Sequence, residues 1–241
     1  MVKKLKLTHF LIIYPSLWIA YCLFEFILGR IPINMYYILM NLIPAILLLI
    51  IAYGFFLYYK NSIVLSKIKL YIVIGILFIV DQGAKIAISV IFHEKNIKSI
   101  NVIKDYFSIT PYINDQGSFI ASRFNINAPF VLFTVFNFVI LSLIYFLYKY
   151  RSYKTKITSL EQLTYVFLFS GGLCSLIDKI FWGGSLDFLQ IHNLFIADIK
   201  DIYITFGLGC FILLTFISDE QTDFKDFFDF ILRSLKLKKN I

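Results

Sequence analysis

Six long apolar segments constrain this sequence more than any other feature. Each is near the ~20 residues that an α-helix needs to cross about 30 Å of hydrocarbon. The chain is 59% hydrophobic and 16% charged, whereas soluble domains carry about 25% charged residues. Polar side chains therefore cannot cover a globule of this size, and lipid must contact much of its surface. The predicted spans are Phe10–Leu28, Met35–Tyr59, Leu70–Phe92, Pro129–Tyr148, Leu163–Trp182 and Ile202–Ile217, the last beginning a few residues earlier.

Two connections between these segments are long, at residues 93–128 and 183–200. The first is rich in aromatic and β-branched residues, which predicts short strands or interfacial structure. Loops of this size in a compact protein usually carry function. The predicted fold class is an all-α polytopic membrane protein with about six transmembrane helices and a small β-containing extracytoplasmic region.

Positive charges predict the orientation, because Lys and Arg accumulate in cytoplasmic loops. With the N-terminus inside, fifteen basic residues fall in inner segments and six in outer ones. Both termini are therefore expected in the cytoplasm. The inner residues are Lys3, Lys4, Lys6, Lys60, Lys67, Lys69, Lys149, Arg151, Lys154, Lys156, Lys225, Arg233, Lys236, Lys238 and Lys239; the outer ones are Arg30, Lys95, Lys98, Lys104, Arg123 and Lys200.

The net charge of +8 would suit nucleic acid if it were clustered on a soluble surface. Here the basic residues follow the membrane topology instead, so membrane lipid is the expected partner and nucleic acid is not. The three Cys and three His lack metal-ligand spacing. We therefore expect neither a metal nor an organic cofactor.

Ionisable residues within membrane spans are costly, and each is a candidate functional residue. Asp81 and Lys85 are four residues apart and share one helical face, so they can pair. Asp178 and Lys179 are adjacent in the fifth segment, and an adjacent cation favours a structural role for the acid.

Four acids occupy a stretch of 24 residues, from 178 to 201, that folds back on itself at the outer surface. Two of their carboxylates can therefore converge. Neighbouring Asp side chains do not easily both ionise, so one holds a proton while the other acts as a base, and water between them can attack an amide carbonyl. The four acids are Asp178, Asp187, Asp198 and Asp201.

Residues 70–217 contain, in order, DQGAK at 81–85, NDQGSF at 114–119, GGLCSLIDK at 171–179, GGSLDF at 183–188 and DIYITFG at 201–207. This ordered set resembles the motifs of the lipoprotein signal peptidases (signal peptidase II), a family of membrane aspartic proteases. The family's D-x-x-T-K motif is similar to DQGAK at 81–85, and N-x-G-A-A-F is similar to NDQGSF at 114–119. G-G-x-x-G-N-x-x-D-R is similar to GGLCSLIDK at 171–179, and G-x-V-x-D-F to GGSLDF at 183–188. F-N-x-A-D-x-x-I-x-x-G is similar to the stretch ending in DIYITFG at 201–207.

The resemblance implies a catalytic dyad formed by Asp187 and the acid that opens the last helix. Alignment on the Ala-Asp dipeptide selects Asp198, whereas the D-x-x-I-x-x-G spacing selects Asp201. We prefer Asp201, because its match to the family pattern extends over seven residues of one continuous helix, whereas the Ala-Asp match covers only two residues. On that register Asp198 replaces the family's Asn.

The resemblance also implies a four-helix peptidase core at 70–218, preceded by two additional helices at 1–69 and followed by a basic tail at 219–241. The tail pattern is typical of an amphipathic helix on the inner leaflet, and a solvated tail is the alternative. Asp178 and Lys179 are assigned structural roles. The implied substrate-binding residues are Asp81, Lys85, Asn114, Asp115, Gly117 and Ser175.

The implied function is cleavage of signal peptides from diacylglyceryl-modified prolipoproteins in the bacterial cytoplasmic membrane, by a monomer. Three positions depart from the family pattern, where Ser175, Lys179 and Ala84 replace Asn, Arg and Thr. They leave open an inactive relative that binds lipidated or membrane peptides. A small transporter component is a further alternative, in which the intramembrane charges would line an ion path.

Overall fold

The computed structural model describes residues 4–29, 31, 34–115, 129–191, 194–217 and 223–236. Within these ranges, six helices are long and apolar enough to cross a membrane, which confirms the predicted fold class. A π-helical turn, Asp178–Trp182, continues the fifth helix. The helices are α1 (Leu7–Ile27), α2 (Met35–Lys60), α3 (Lys67–Glu94), α4 (Phe130–Lys154), α5 (Ser159–Ile177) and α6 (Ile199–Ile217).

Hydrogen bonding at the helix ends explains where the boundaries differ from the apolar pattern. α5 begins at Ser159 and not at Leu163. Thr158 Oγ1 accepts from the Glu161 backbone N at 3.2 Å, and Glu161 Oε2 accepts from the Thr158 backbone N at 2.8 Å. This reciprocal cap satisfies two donors that the first turn would leave unpaired, so the helix extends beyond its apolar part.

The two long connections contribute a four-stranded antiparallel sheet, as predicted, in the order β1-β2-β3-β4. The register between β2 and β3 shifts between Ile109 and Tyr112. Pro111 lies in that interval and has no N–H for the ladder. The strands are β1 (Ile100–Ile103), β2 (Phe107–Asn114), β3 (Ser185–Ile191) and β4 (Phe195–Ala197).

The N-terminal helices pack tightly against the rest of the bundle. The Tyr14 hydroxyl of α1 donates to the Phe206 carbonyl of α6 at 3.3 Å and lies 3.0 Å from Cys210 Sγ. A Cβ at Gly209 would lie 2.5 Å from the Tyr14 ring, so only glycine permits this approach. Helix α1 therefore packs into the same core as α6.

The C-terminal segment forms a short helix, α7 (Phe224–Ser234). Phe227 and Phe230 pack edge-on against Tyr150 of α4. Phe224 and Phe228 are exposed. An apolar face that is open to the surroundings fits the expectation of a helix at the inner leaflet.

Candidate active site

Three acids converge where the sheet meets the membrane helices. Asp187 comes from β3, Asp198 from the residue between β4 and α6, and Asp201 from the first turn of α6. One carboxylate oxygen of each lies within 4.8 Å of those of the other two. The fourth acid of the stretch, Asp178, lies close to Asp198, so all four acids come together, as the folding back of this stretch predicts.

A reciprocal cap at the start of α6 holds two of these acids. Asp198 Oδ1 accepts from the Asp201 backbone N at 3.3 Å, and Asp201 Oδ2 accepts from the Asp198 backbone N at 3.1 Å. This is the capping-box spacing, with Asp in place of Ser and Glu. The cap fixes both side chains relative to the axis of α6 and leaves their remaining oxygens for other partners.

Asp198 is fully buried and neutralised by two lysines. Its carboxylate lies 2.7 Å from Lys85 Nζ and also accepts from Lys200 Nζ. Although burial alone raises the pKa of Asp198, the ammonium groups of Lys200 and Lys85 hold that pKa below its usual range. Asp198 therefore remains a charged, internally paired group.

Asp81 and Lys85 lie beneath Asp198 and have no exposed side-chain surface. Lys85 Nζ lies 2.8 Å from Asp81 and 2.6 Å from Asp178. Gln82 Nε2 adds a hydrogen bond to Asp178 at 2.8 Å. Breaking a buried charge network of this kind typically costs about 3–5 kcal/mol for each pair that loses a partner, so these residues fix how α3, α5 and α6 pack together.

Asp187 faces a more varied set of partners. Ser185 Oγ donates to its Oδ1 at 2.6 Å, Asn114 Nδ2 donates to its Oδ2 at 3.4 Å, and Lys200 Nζ lies 3.7 Å from Oδ1. Burial and the neighbouring charge of Asp198 raise the pKa of Asp187, and Lys200 opposes that shift. A carboxyl with a raised pKa is suited to holding a proton during acid–base chemistry.

Gly184 allows Asn114 to come this close. A Cβ at Gly184 would lie 2.8 Å from the Asn114 carbonyl oxygen, so a larger residue would push the end of β2 away from β3. Gly183, with φ +66°, ends the π-helical turn in the left-handed conformation that glycine adopts readily. The two glycines allow the chain to turn from the end of α5 into β3, and this turn positions Asp187 in the site.

A cavity of about 1540 Å³ opens at Asp187 and Asp201 and follows the helices to the opposite end of the bundle, at Thr158 and Glu161. Its wall is mostly apolar and includes Phe133, Ile140, Leu208 and Phe211. Asp201 is half-buried. Polar side chains therefore line both ends of this groove, and an apolar section lies between them. The polar lining at the end that holds the acids comprises Asn114, Ser175, Lys179, Ser185, Asp187, Lys200 and Asp201.

The predicted substrate-binding residues do not all reach this cavity. Asn114 and Ser175 line it, whereas Asp115 is exposed outside its lining. Gly117 lies outside the described residues. Asp81 and Lys85 form the buried layer below the acids, so contact between either side chain and a substrate stays a prediction.

Lys179 does not form the expected pair with Asp178. Asp178 is paired with Lys85 and, at 3.2 Å, with Lys200. Lys179 Nζ donates instead to Ser175 Oγ at 2.8 Å, and the side-chain amide of Asn137 lies 2.7 Å from the same oxygen. Adjacent residues on a helix point about 100° apart, and the π-helical turn directs Lys179 into the cavity.

Lys200 is the residue of the site that sequence reasoning missed, since it was counted only as an outer-loop charge. Its ammonium group contacts Ser185 and three acids. Its backbone N also donates to Asp81 Oδ1 at 3.0 Å. The D-x-x-D capping spacing at 198–201 was a usable signal, because it places Lys200 inside the first turn of a helix.

The acids also have the spacing of metal ligands. Oxygens of Asp81, Asp178 and Asp198 lie within 4.8 Å of one another. The ammonium group of Lys85 bonds to all three. A side-chain cation therefore occupies the position that a metal ion would take among these three acids.

The sequence model of the signal peptidase (SPase) II family matches residues 72–217, and this span contains every acid and lysine of the site. The chain belongs to the signal peptidase II family. A curated relative, the lipoprotein signal peptidase of Halothermothrix orenii, is 28% identical over 153 residues, which are 64% of this chain and 99% of the relative.

Two solved structures are also similar, both described as a bacterial membrane enzyme determined by the in meso method. They are 22% and 20% identical to this chain, with a TM-score of 0.48 each. They cover 63% and 64% of this chain and 94% of their own chains. The signal peptidase II match begins at residue 72, so α1 and α2 lie outside it.

Proposed function

We propose that this chain is an intramembrane aspartic endopeptidase that removes the signal peptide of a diacylglyceryl-modified prolipoprotein by cleaving before the lipidated Cys. The observation that carries the proposal is the convergence of Asp187 and Asp201 at one end of a mostly apolar cavity that follows the membrane helices. Family membership supports the substrate class, and the curated relative carries the name lipoprotein signal peptidase.

In the proposed mechanism, one carboxylate takes a proton from water while the other, protonated carboxyl donates to the carbonyl oxygen of the scissile peptide. The water oxygen bonds to the carbonyl carbon and forms a tetrahedral intermediate. The C–N bond then breaks: the leaving nitrogen takes the proton that the first carboxylate had accepted from water, and a hydroxyl of the intermediate returns its proton to the other carboxylate as the product C=O forms, so the dyad is again singly protonated. Ser185 and Asn114 orient Asp187 through their hydrogen bonds to its two oxygens.

Asp198 is proposed as a supporting residue and not as the second member of the dyad. It is fully buried, paired with two lysines and absent from the described lining of the cavity. Asp201 is half-buried and lines the cavity beside Asp187. This arrangement supports the register in which Asp201 opens the last motif.

The test is cleavage of a diacylglyceryl-modified prolipoprotein by the purified protein in lipid, with Asp187→Asn, Asp201→Asn and Asp198→Asn in parallel. We expect Asp187→Asn and Asp201→Asn to lower kcat by on the order of 10³-fold or more. Asp198→Asn keeps a measurable rate but lowers thermal stability, because Lys85 and Lys200 lose a buried anion. The unlipidated substrate is the control for specificity.

Two results would contradict the proposal. Folded wild-type protein that leaves the lipidated substrate intact would favour a peptide-binding relative without catalysis. Full activity in Asp201→Asn together with complete loss in a folded Asp198→Asn would move the dyad to Asp187 and Asp198.

A further inference from the structure

The first transmembrane helix contributes to the cavity although it lies outside the family match. Leu17, Trp18 and Tyr21 of α1 line the same cavity as Asp187 and Asp201. Trp18 and Tyr21 are three residues apart and share one face of the helix. That face lies at the end of the bundle that carries the acids.

Aromatic contacts join this face of α1 to the strand that leads into the acids. The Tyr21 ring lies 5.1 Å from the Phe195 ring at 87°, and the Trp18 ring lies 6.1 Å from it at 64°. Edge-to-face contacts of this kind fix ring positions. Phe195 precedes Asp198 by three residues on the extended chain, so the Cα atoms of these two residues lie about 10 Å apart.

Helix α2 holds Trp18 in place. Trp18 Nε1 donates to the Asn41 carbonyl at 2.9 Å. Asn41 Oδ1 in turn accepts from the Tyr106 hydroxyl at 3.3 Å, next to the sheet. The polar edge of the indole is therefore satisfied within the N-terminal helix pair, and its apolar surface remains for the cavity.

We propose that α1 forms one wall of the substrate groove and that Trp18 and Tyr21 contact the diacylglyceryl chains of the substrate. This inference rests on the proposed function. A lipidated Cys directly after the scissile bond lies within about 4 Å of it along the chain. Its glyceryl group and the first methylenes of its acyl chains can therefore reach the aromatic rings, which line the same cavity as Asp187 and Asp201.

The wall is a determinant of lipid recognition and takes no part in proton transfer. Removing a large ring from it exposes apolar surface of a bound acyl chain and weakens binding, while the geometry of the dyad is unchanged. The expected change is in KM and not in kcat.

The experiment compares Trp18→Ala and Tyr21→Ala with Ile19→Ala, a matched control on the same turn of α1 whose side chain is 49% exposed and lies outside the cavity lining. We expect KM for a long-chain diacylglyceryl substrate to rise on the order of tenfold in the first two variants, with kcat kept. Trp18→Phe restores most of the affinity, and Ile19→Ala behaves as wild type. Unchanged KM in folded Trp18→Ala and Tyr21→Ala would overturn the inference.

A photo-crosslinking amino acid at position 18 separates this inference from the proposed function. In an Asp187→Asn background, capture of the diacylglyceryl peptide but not of its unlipidated form supports contact between α1 and the acyl chains. This holds even if the wild-type protein does not cleave the substrate. Cleavage by the wild type without any capture at position 18 supports the peptidase function but contradicts the inference that α1 contacts the lipid of the substrate. Capture of bulk phospholipid alone also overturns it.

Discussion

At the scale of single residues, Lys200 sets the charge balance of the site. Its ammonium group lies among Asp178, Asp187 and Asp198 and opposes the burial that raises the pKa of Asp187. On the register in which Asp201 is the acid of the last motif, the family pattern F-N-x-A-D-x-x-I-x-x-G has Ala at this position, whereas this chain has Lys. The added cation therefore makes ionisation of Asp187 easier than burial alone would allow.

Replacing Lys200 with Met is expected to shift the pH dependence of cleavage. Loss of the cation raises the pKa of Asp187 further. A higher pH is then needed to remove one proton from the pair of carboxyl groups and reach the singly protonated state. The acid limb of the kcat/KM profile should move upward by about one pH unit. The measurement is the initial cleavage rate of the lipidated substrate across pH in lipid nanodiscs.

Lys95→Met is the matched control, because it removes the same charge from an exposed residue at the end of α3. Its profile should superimpose on that of the wild type. An unmoved acid limb in a folded Lys200→Met variant would show that Lys200 has no electrostatic effect on the dyad.

At the scale of elements, close packing of α5 and α6 positions Asp201. A Cβ at Gly207 would lie 2.9 Å from the Leu168 backbone N and 2.7 Å from its Cγ. Gly207→Ala must therefore push the two helices apart, at a cost of about 1–3 kcal/mol. Because Asp201 lies on the same helix, we expect a lower kcat as well as a lower melting temperature.

Gly75→Ala provides the control, since a Cβ at Gly75 of α3 meets no atom within 4 Å. Alanine has the higher helix propensity, so this variant should be neutral or slightly stabilised, by up to about 1 kcal/mol. Scanning calorimetry and cleavage assays on both variants test the difference. Equal stability of the two would refute the packing argument.

The sequence predicts the position of an element where a single physical property, such as apolar length, determines it. Apolar length sets the six spans, while the start of α5 depends on the cap between Thr158 and Glu161, which hydropathy does not register. Asp187 and Asp201 are found through their motifs. The contact of Trp18 with Phe195 joins residues 177 positions apart (195 − 18), and no local pattern encodes such a contact.

At the scale of the whole molecule, the orientation of the bundle decides which side of the membrane the dyad faces. The sheet and the acids lie at the end of the bundle where α1, α3 and α5 finish. The distribution of Lys and Arg predicts that this end lies outside the cytoplasm. The proposed function requires this orientation, because a lipidated precursor reaches the outer part of the membrane after export.

Cysteine labelling in cells tests the orientation. Lys95 follows the C-terminus of α3 and Asn61 follows that of α2, at opposite ends of the bundle, and both residues are exposed. Cys174 and Cys210 are buried, and Cys22→Ser removes the remaining, partly exposed thiol. We expect an impermeant maleimide to label Lys95→Cys in intact cells and Asn61→Cys only after permeabilisation. The reverse pattern would place Asp187 and Asp201 at the cytoplasmic surface, where an exported lipoprotein precursor could not reach them.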